Sequence, residues 1–294
     1  MGLIKKRRWI QFFSFLAINA YIPSWLKGEI YQGSIKGTCV PVLNCYSCPS
    51  AMGACPIGSL QNFLASARFN ISIPNYQFGL YVLGFLGAVG SLVGRLPCGW
   101  LCPFGFLQEL MYKIKTRKFH IPKFLTYMKY VVLAVFVFLL PLLIMDRFGF
   151  GQTWFCKWIC PAGTLEAGVP LASLNEGIRS QLGFLFSWKM AILVLFLVWM
   201  IVSKRPFCRT TCPLGAIFAL FNKVSLFRMV VDDDKCTLCN KCLRDCPVDI
   251  KVYEGPNSPE CIRCLKCIDS CQFGAVNYEF IKKKSPEPAP IPNR

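Results

Sequence analysis

Hydrophobic residues fall into four long runs along the 294-residue chain. Residues 9–26, 69–94 and 130–145 contain no charged side chain, and residues 182–203 contain only Lys189. A bilayer core of ~30 Å needs about 20 helical residues. The pattern therefore predicts four transmembrane helices, at about 9–26, 76–95, 127–146 and 186–204, the third with Lys129 snorkelling to the interface. Pro23 and Pro141 mark helix ends or kinks, and Gly90-x3-Gly94, below Gly84 and Gly87, lets the second helix approach a neighbour closely. The first run is longer than a signal-peptide core and lacks a small-residue cleavage site, so it reads as a retained anchor.

Beyond residue 226 the long runs stop and cysteine spacing takes over. Residues 236–247 read CTLCNKCLRDCP and residues 261–272 read CIRCLKCIDSCQ. Each half is C-x2-C-x2-C-x3-C, the spacing of bacterial two-cluster ferredoxins, in which the fourth Cys of each run reaches the other cluster. That rule groups Cys236, Cys239, Cys242 and Cys271 on one [4Fe–4S] centre, and Cys261, Cys264, Cys267 and Cys246 on the second. Gln272 stands where a second Pro is expected, which changes a turn and not the ligand count. Zinc knuckles or a disulfide framework are the competing readings, disfavoured by the tandem spacing.

The other ten of the 18 Cys follow the hydrophobic runs. Four times the chain reads Cys-Pro-x-Gly-x-(Leu/Ile), beginning at Cys55, Cys102, Cys160 and Cys212. Cys98, Cys156 and Cys208 stand four residues ahead of the last three units, and Cys48 stands seven ahead of the first, with Cys45 and Cys39 beyond it. A unit recurring after each span is an internal repeat. Pro after Cys suits a first helical turn, which sets the Cys at a helix N-terminus whose free N–H groups favour a thiolate. Gly lets the backbone come close to something bulky.

Composition and charge add topology. The chain is 54% hydrophobic and 16% charged, too apolar for an ordinary soluble domain. Lys5, Lys6, Arg7 and Arg8 precede the first run. Arg95, Lys113, Lys115, Arg117, Lys118 and Lys123 lie between the second and third, and Lys204, Arg205 and Arg209 follow the fourth. The other two loops are poorer in basic residues, so both termini are expected on the cytoplasmic side. The net charge of +18 flanks spans instead of forming one nucleic-acid-binding patch.

Repeat and topology combine into two further sites. Cys98, Cys102, Cys208 and Cys212 fall on the cytoplasmic face, and Cys48, Cys55, Cys156 and Cys160 on the outer face. Each set has the four thiolates of one [4Fe–4S] cluster. Redox-active thiols inside and disulfides outside are the alternatives. Cys39 and Cys45 are left over: either they form a disulfide, or Cys45 replaces Cys48 as a ligand. The single His, His120, excludes a bis-His haem within this chain and reads as a solvated loop residue, with a quinone-site role as the rival. Glu109 and Glu166, seven and six residues after their Cys-Pro pairs, either handle protons or solvate interfacial helices. Asp232, Asp233 and Asp234 read as a solvated turn. No G-x-G-x-x-G unit, P-loop or flavin-attachment sequence is present.

The expected architecture is an α-helical integral membrane domain over 1–226, a small α+β ferredoxin domain over 227–281 and a disordered Pro-rich tail over 282–294. On PCGWLCPFG, FCRTTCPLG and the paired ferredoxin runs, the chain resembles the NapH/NosR-type polyferredoxin membrane proteins over roughly residues 76 to 280. That resemblance implies an electron-transfer subunit of the bacterial or archaeal cytoplasmic membrane. Such a subunit links the quinone pool or a cytosolic ferredoxin-like donor with an extracytoplasmic reductase, hydrogenase or cytochrome. The outer cysteines depart from NapH and favour a cluster relay crossing the membrane within this chain. An assembly factor that reduces metal or thiols for a partner enzyme is the alternative.

Overall fold

The computed structural model describes residues 3–66, 77–147 and 149–280. The tail at 282–294 and the first residue of the second expected span lie outside them. Among the described residues, two helices, Lys123–Leu143 and Phe184–Val202, are long and apolar enough to cross a membrane. Only 17% of the apolar window of Phe184–Val202 is buried inside the protein, and Val194, Leu195 and Val198 face outward. A core helix of a water-soluble fold would bury that surface, whereas lipid solvates it. The other two expected spans are shorter helices. Leu3–Ile18 stops before Pro23, which opens a separate helix, Pro23–Lys27, so the continuous helix expected over 9–26 does not form. Gln77–Val93 ends at Gly94, whose φ of 54° is the left-handed conformation that closes helices.

Two stretches are π-helical, Leu133–Leu139 and Thr164–Gly168, each ending two residues before a proline, Pro141 or Pro170. A proline has no N–H and clashes with the carbonyl four residues back, and a widened turn accommodates both.

All four Cys-Pro units start helices. Cys55, Cys102, Cys160 and Cys212 are N-cap residues with the proline in the first turn. The helices Pro56–Ala65, Pro103–Met111 and Pro213–Phe221, with the 161–174 segment, wrap one apolar core containing Leu43, Phe104, Val137, Phe155 and Phe207. Gly90 makes the expected close approach: a Cβ there would sit 2.6 Å from the Phe221 ring. The N-terminal helix supplies polar groups to the same interior. Arg7 and Gln11 donate to the Gly99 carbonyl at 2.9 and 3.0 Å, and Ser14 donates to Leu101 at 3.1 Å. They satisfy carbonyls that the turn around Cys98 leaves unpaired.

The C-terminal unit is a two-stranded antiparallel sheet, Arg228–Val231 with Val276–Glu279, and two short helices, Lys241–Asp245 and Lys266–Ser270, packed on each other. It is seated on the membrane part. Asn222 donates to the carbonyls of Ser258 and Cys261 at 2.9 and 2.7 Å, and Trp100 Nε1 donates to Arg263 at 3.0 Å. Lys129 therefore does not snorkel. It is fully buried and paired with Glu260, because the C-terminal unit covers that end of its helix. Backbones also touch: a Cβ on Gly99 would lie 2.4 Å from the Ile262 carbonyl oxygen. Gly99→Ala is accordingly expected to cost about 1–3 kcal/mol, the range of an overpacked site, read as a lower unfolding midpoint in detergent.

Candidate functional site: four groups of cysteines

The eight C-terminal cysteines sort into two pockets. One is lined by Cys236, Cys239, Cys242 and Cys271. The other is lined by Cys246, Cys261, Cys264 and Cys267. Each pocket thus takes its fourth thiol from the other run. Leu238, Asn240, Arg263 and Leu265 hold φ between 50° and 59° at matching places in the two C-x2-C-x2-C loops. Left-handed non-glycine residues cost roughly 1–2 kcal/mol each, and a short loop keeps two of them only when its shape is imposed by what it encloses.

Cys98, Cys102, Cys208 and Cys212 are all buried, and Cys208 and Cys98 act electrostatically on both Cys102 and Cys212. Two reciprocal contacts lock them. Arg95, three residues before Cys98, donates to the Cys208 carbonyl at 3.2 Å; Arg205, three residues before Cys208, donates to the Cys98 carbonyl at 2.8 Å. The glycines of the two repeat units make room for these guanidiniums. A Cβ on Gly215 would lie 3.1 Å from Arg95, and one on Gly105 would lie 3.1 Å from Arg205. Gln108 Nε2 donates to Cys208 Sγ at 3.0 Å, and Gly215 N donates to Cys212 Sγ at 3.3 Å.

Four of the six remaining cysteines, Cys45, Cys55, Cys156 and Cys160, line a cavity of about 390 Å³ together with Leu43 and Lys189. Cys48 is not among them. Its Sγ turns away to Ser50 Oγ at 3.5 Å and Asn19 Oδ1 at 3.6 Å. The two cysteines sit at the ends of one tight turn, closed by Cys48 N donating to Cys45 O at 3.0 Å. Nor does a disulfide join Cys39 to Cys45: both are free, Cys39 is hydrogen-bonded to Ser59, and Cys45 faces Cys160. The cavity wall is kept thin, since a Cβ on Gly163 would lie 3.4 Å from Cys45 Sγ and 3.8 Å from Cys160 Sγ. Gln61 Nε2 donates to Cys156 Sγ at 3.2 Å, and Lys189 Nζ donates to the Cys156 carbonyl at 3.3 Å.

These thiols fit a cluster better than a free or mononuclear state. Burial pushes Cys45, Cys55 and Cys160 up to about 12, outweighing the helix N-terminal N–H groups of Ile57, Gly58 and Gly163 that favour thiolates. Buried thiols of this kind ionise only beside a positive centre. Among the described residues no group of three or more His, Cys, Asp or Glu is close enough to hold a single metal ion. A tetrahedral four-sulfur ion with bonds of ~2.3 Å would draw its sulfurs to about 3.8 Å, whereas a cubane spreads them over its corners.

The acidic residues behave differently from a solvated interface. Glu109 is held well below the usual carboxylate range: burial opposes its charge, but Arg205, Arg7 and Lys266 outweigh it. Glu166 is half-buried beside Cys45, accepts its N–H at 2.7 Å, and is pushed up to about 8 by desolvation. His120 is exposed, 3.6 Å from Asp249, and Asp232 pairs with Lys235 at 2.6 Å as a surface turn. The sequence reading missed the paired Arg95/Arg205 and Gln61/Gln108. Their signal was available as equal offsets, three residues before and six residues after the cysteines.

The family profile described as 4Fe-4S binding domain matches residues 53–74, 77–122, 130–169 and 185–230. Each matched segment contains one Cys-Pro-x-Gly unit. The chain belongs to the NapH/NosR-type polyferredoxin family. An uncharacterized protein of Methanocaldococcus jannaschii is 30% identical over 78% of this chain and 79% of its own length. The ferredoxin-type protein NapH of Escherichia coli is 25% identical over 90% of this chain and 85% of its own length. The regulatory protein NosR of Pseudomonas aeruginosa is 30% identical over 64% of this chain but only 25% of its own length. No solved structure matches. As a polyferredoxin, the chain is an iron–sulfur electron-transfer protein with [4Fe–4S] clusters, and the two long apolar helices among its described residues fit a membrane protein.

Proposed function

We propose that this polyferredoxin is a four-cluster electron conduit through the cytoplasmic membrane. Cys236, Cys239, Cys242 and Cys271 hold the outermost cytoplasmic cluster, where Cys239 is exposed for exchange with a donor. Cys246, Cys261, Cys264 and Cys267 hold the next. Cys98, Cys102, Cys208 and Cys212 hold an inner membrane cluster, and Cys45, Cys55, Cys156 and Cys160 hold an outer one. Four apolar helices carry the membrane clusters, with both termini cytoplasmic and a redox partner outside. The clusters supply one-electron transfer; the chain's part is to seat, insulate and space them.

One observation carries this reading. Leu43 is buried in the same apolar core as Cys98, Cys102 and Cys212, and it also lines the cavity of Cys45, Cys55, Cys156 and Cys160. The loop carrying Cys45 dips inward until the two membrane sites share a wall. Clusters at opposite faces of a ~30 Å core would exchange electrons poorly in one step, and a shared wall supports a shorter path between them. At the cytoplasmic side the contact is equally close, since Cys246 and Cys264 share one apolar core with Cys98, Cys102 and Cys212. The assembly-factor alternative needs accessible working thiols. The two cysteines outside the four groups, Cys39 and Cys48, are buried and hydrogen-bonded to serines.

Sealed proteoliposomes test the conduit. With an impermeant reductant outside and ferricyanide inside, wild-type protein is expected to bleach the ferricyanide. A Cys156→Ala/Cys160→Ala chain should leave it oxidised. Equal rates for the two proteins would overturn the conduit.

A further inference from the structure

We propose that Gln61 and Gln108 are matched positioning residues that set the reduction potentials of the two membrane clusters, each by donating one amide N–H to a ligand sulfur. The inference rests on the four-cluster reading and adds to it the groups that tune two of the clusters.

The two glutamines occupy the same place in successive repeat units, six residues after Cys55 and six after Cys102. Both are fully buried. Each reaches out of its own unit into the unit two further along: Gln61 to Cys156 Sγ at 3.2 Å, Gln108 to Cys208 Sγ at 3.0 Å. Cys156 and Cys208 are themselves equivalent, each the first cysteine of a C-x3-C-Pro unit. The contact is therefore one geometry made twice, on opposite sides of the protein's internal repeat.

The orientation of each amide is determined. Gln61 Oε1 accepts the Phe155 N–H at 2.9 Å, which leaves Nε2 for the sulfur. Gln108 Nε2 faces the Phe104 carbonyl at 3.3 Å as well as the sulfur, and a flipped amide would set an oxygen against two acceptors. Among the described residues, Gln108 Oε1 has no hydrogen-bond partner. A buried unpaired acceptor costs about 1–3 kcal/mol, and an apolar side chain would fill the same space without that cost. The donor end gives the glutamine its reason to be there. In the other two units the equivalent position holds Glu166 or Phe218, neither of them an amide donor. Each membrane site thus receives one side-chain amide.

Reduction adds an electron whose charge spreads onto the sulfurs. An N–H pointed at a sulfur stabilises that added charge and raises the potential, and a dry interior strengthens the effect. Removing the donor lowers the potential of that cluster and leaves the others alone.

The experiment is an EPR-monitored redox titration, with iron and sulfide analysis, on anaerobically purified full-length protein. Variants are Gln61→Met and Gln108→Met, which keep the shape and remove the donor, and Gln61→Glu and Gln108→Glu, which keep the polar end without the amide donor and, at position 61, the acceptor of the Phe155 N–H. Each single variant should retain wild-type iron and move one midpoint to lower potential. The two glutamine positions should move different midpoints, and the double Met variant should move both. Unchanged midpoints at full iron content would overturn the proposal. So would loss of iron in both the Met and the Glu variant, which would make the amides structural. A wild-type protein holding only about eight irons, two clusters' worth, would instead defeat the four-cluster reading on which the proposal stands.

Discussion

Cys45→Ala protein is expected to purify with about twelve irons per chain where wild type holds about sixteen, while Cys48→Ala keeps them all. These two cysteines are three residues apart and look equivalent in the sequence. In the structure Cys45 lines the outer cavity, and Cys48 hydrogen-bonds Ser50 outside it. Loss of a whole cluster is the largest effect a single side chain can have here, because an incompletely ligated cubane in a buried cavity leaves an iron site open. The check is iron and acid-labile sulfide on anaerobically purified chains. Four irons missing from Cys48→Ala, with Cys45→Ala unchanged, would reverse the assignment.

Glu109→Leu should destabilise the protein by about 3–5 kcal/mol, the cost of breaking a buried ion pair on one side. Glu109 accepts Arg205 at 2.7 Å, pairs with Arg7, and lies 3.7 Å from Lys266. Arg7 comes from the N-terminal helix, Arg205 from the turn before Cys208, and Lys266 from the C-terminal unit, so one carboxylate joins three parts of the chain. With Leu in its place, two guanidiniums that are 0% and 1% exposed lose their counter-charge. The measurement is the thermal unfolding midpoint in detergent, and an unchanged midpoint would refute the role. The pH dependence has a defined sign. The folded carboxyl lies below its unfolded value, so its contribution is complete above the ordinary carboxylate range near ~4.3 and is lost as pH falls through the folded value. Acidification should therefore loosen wild type, and Glu109→Leu should lack that acid step.

Much of the site was legible before any coordinates. C-x2-C-x2-C-x3-C spacing places thiols around a cubane whatever surrounds it, and the four Cys-Pro-x-Gly units name their own helix starts, since Pro fits the first turn and Gly leaves space. The offsets of Arg95 and Arg205, and of Gln61 and Gln108, were present as well, but such offsets acquire meaning only when two units face each other. Lys129 shows the opposite case. Its sequence context, a lone cation at the end of an apolar run, reads as snorkelling, and only the presence of Glu260 above it turns it inward.

By itself, the sequence determined the chemistry and its local frames: which residues are thiols, how closely they follow one another, which segments are apolar enough to seek lipid, and where helices begin. These depend on neighbours within a few positions. Tertiary structure alone decided the groupings: that Cys45 rather than Cys48 joins Cys55, Cys156 and Cys160 around one cavity, and that Leu43 belongs both to that cavity's wall and to the core that holds Cys102. Those contacts join residues far apart in the chain, and a repeat that folds back on itself can be paired in more than one way. Which pairing holds is settled by packing and by the buried hydrogen bonds of Arg95, Arg205, Gln61 and Gln108, none of which exists until the units meet.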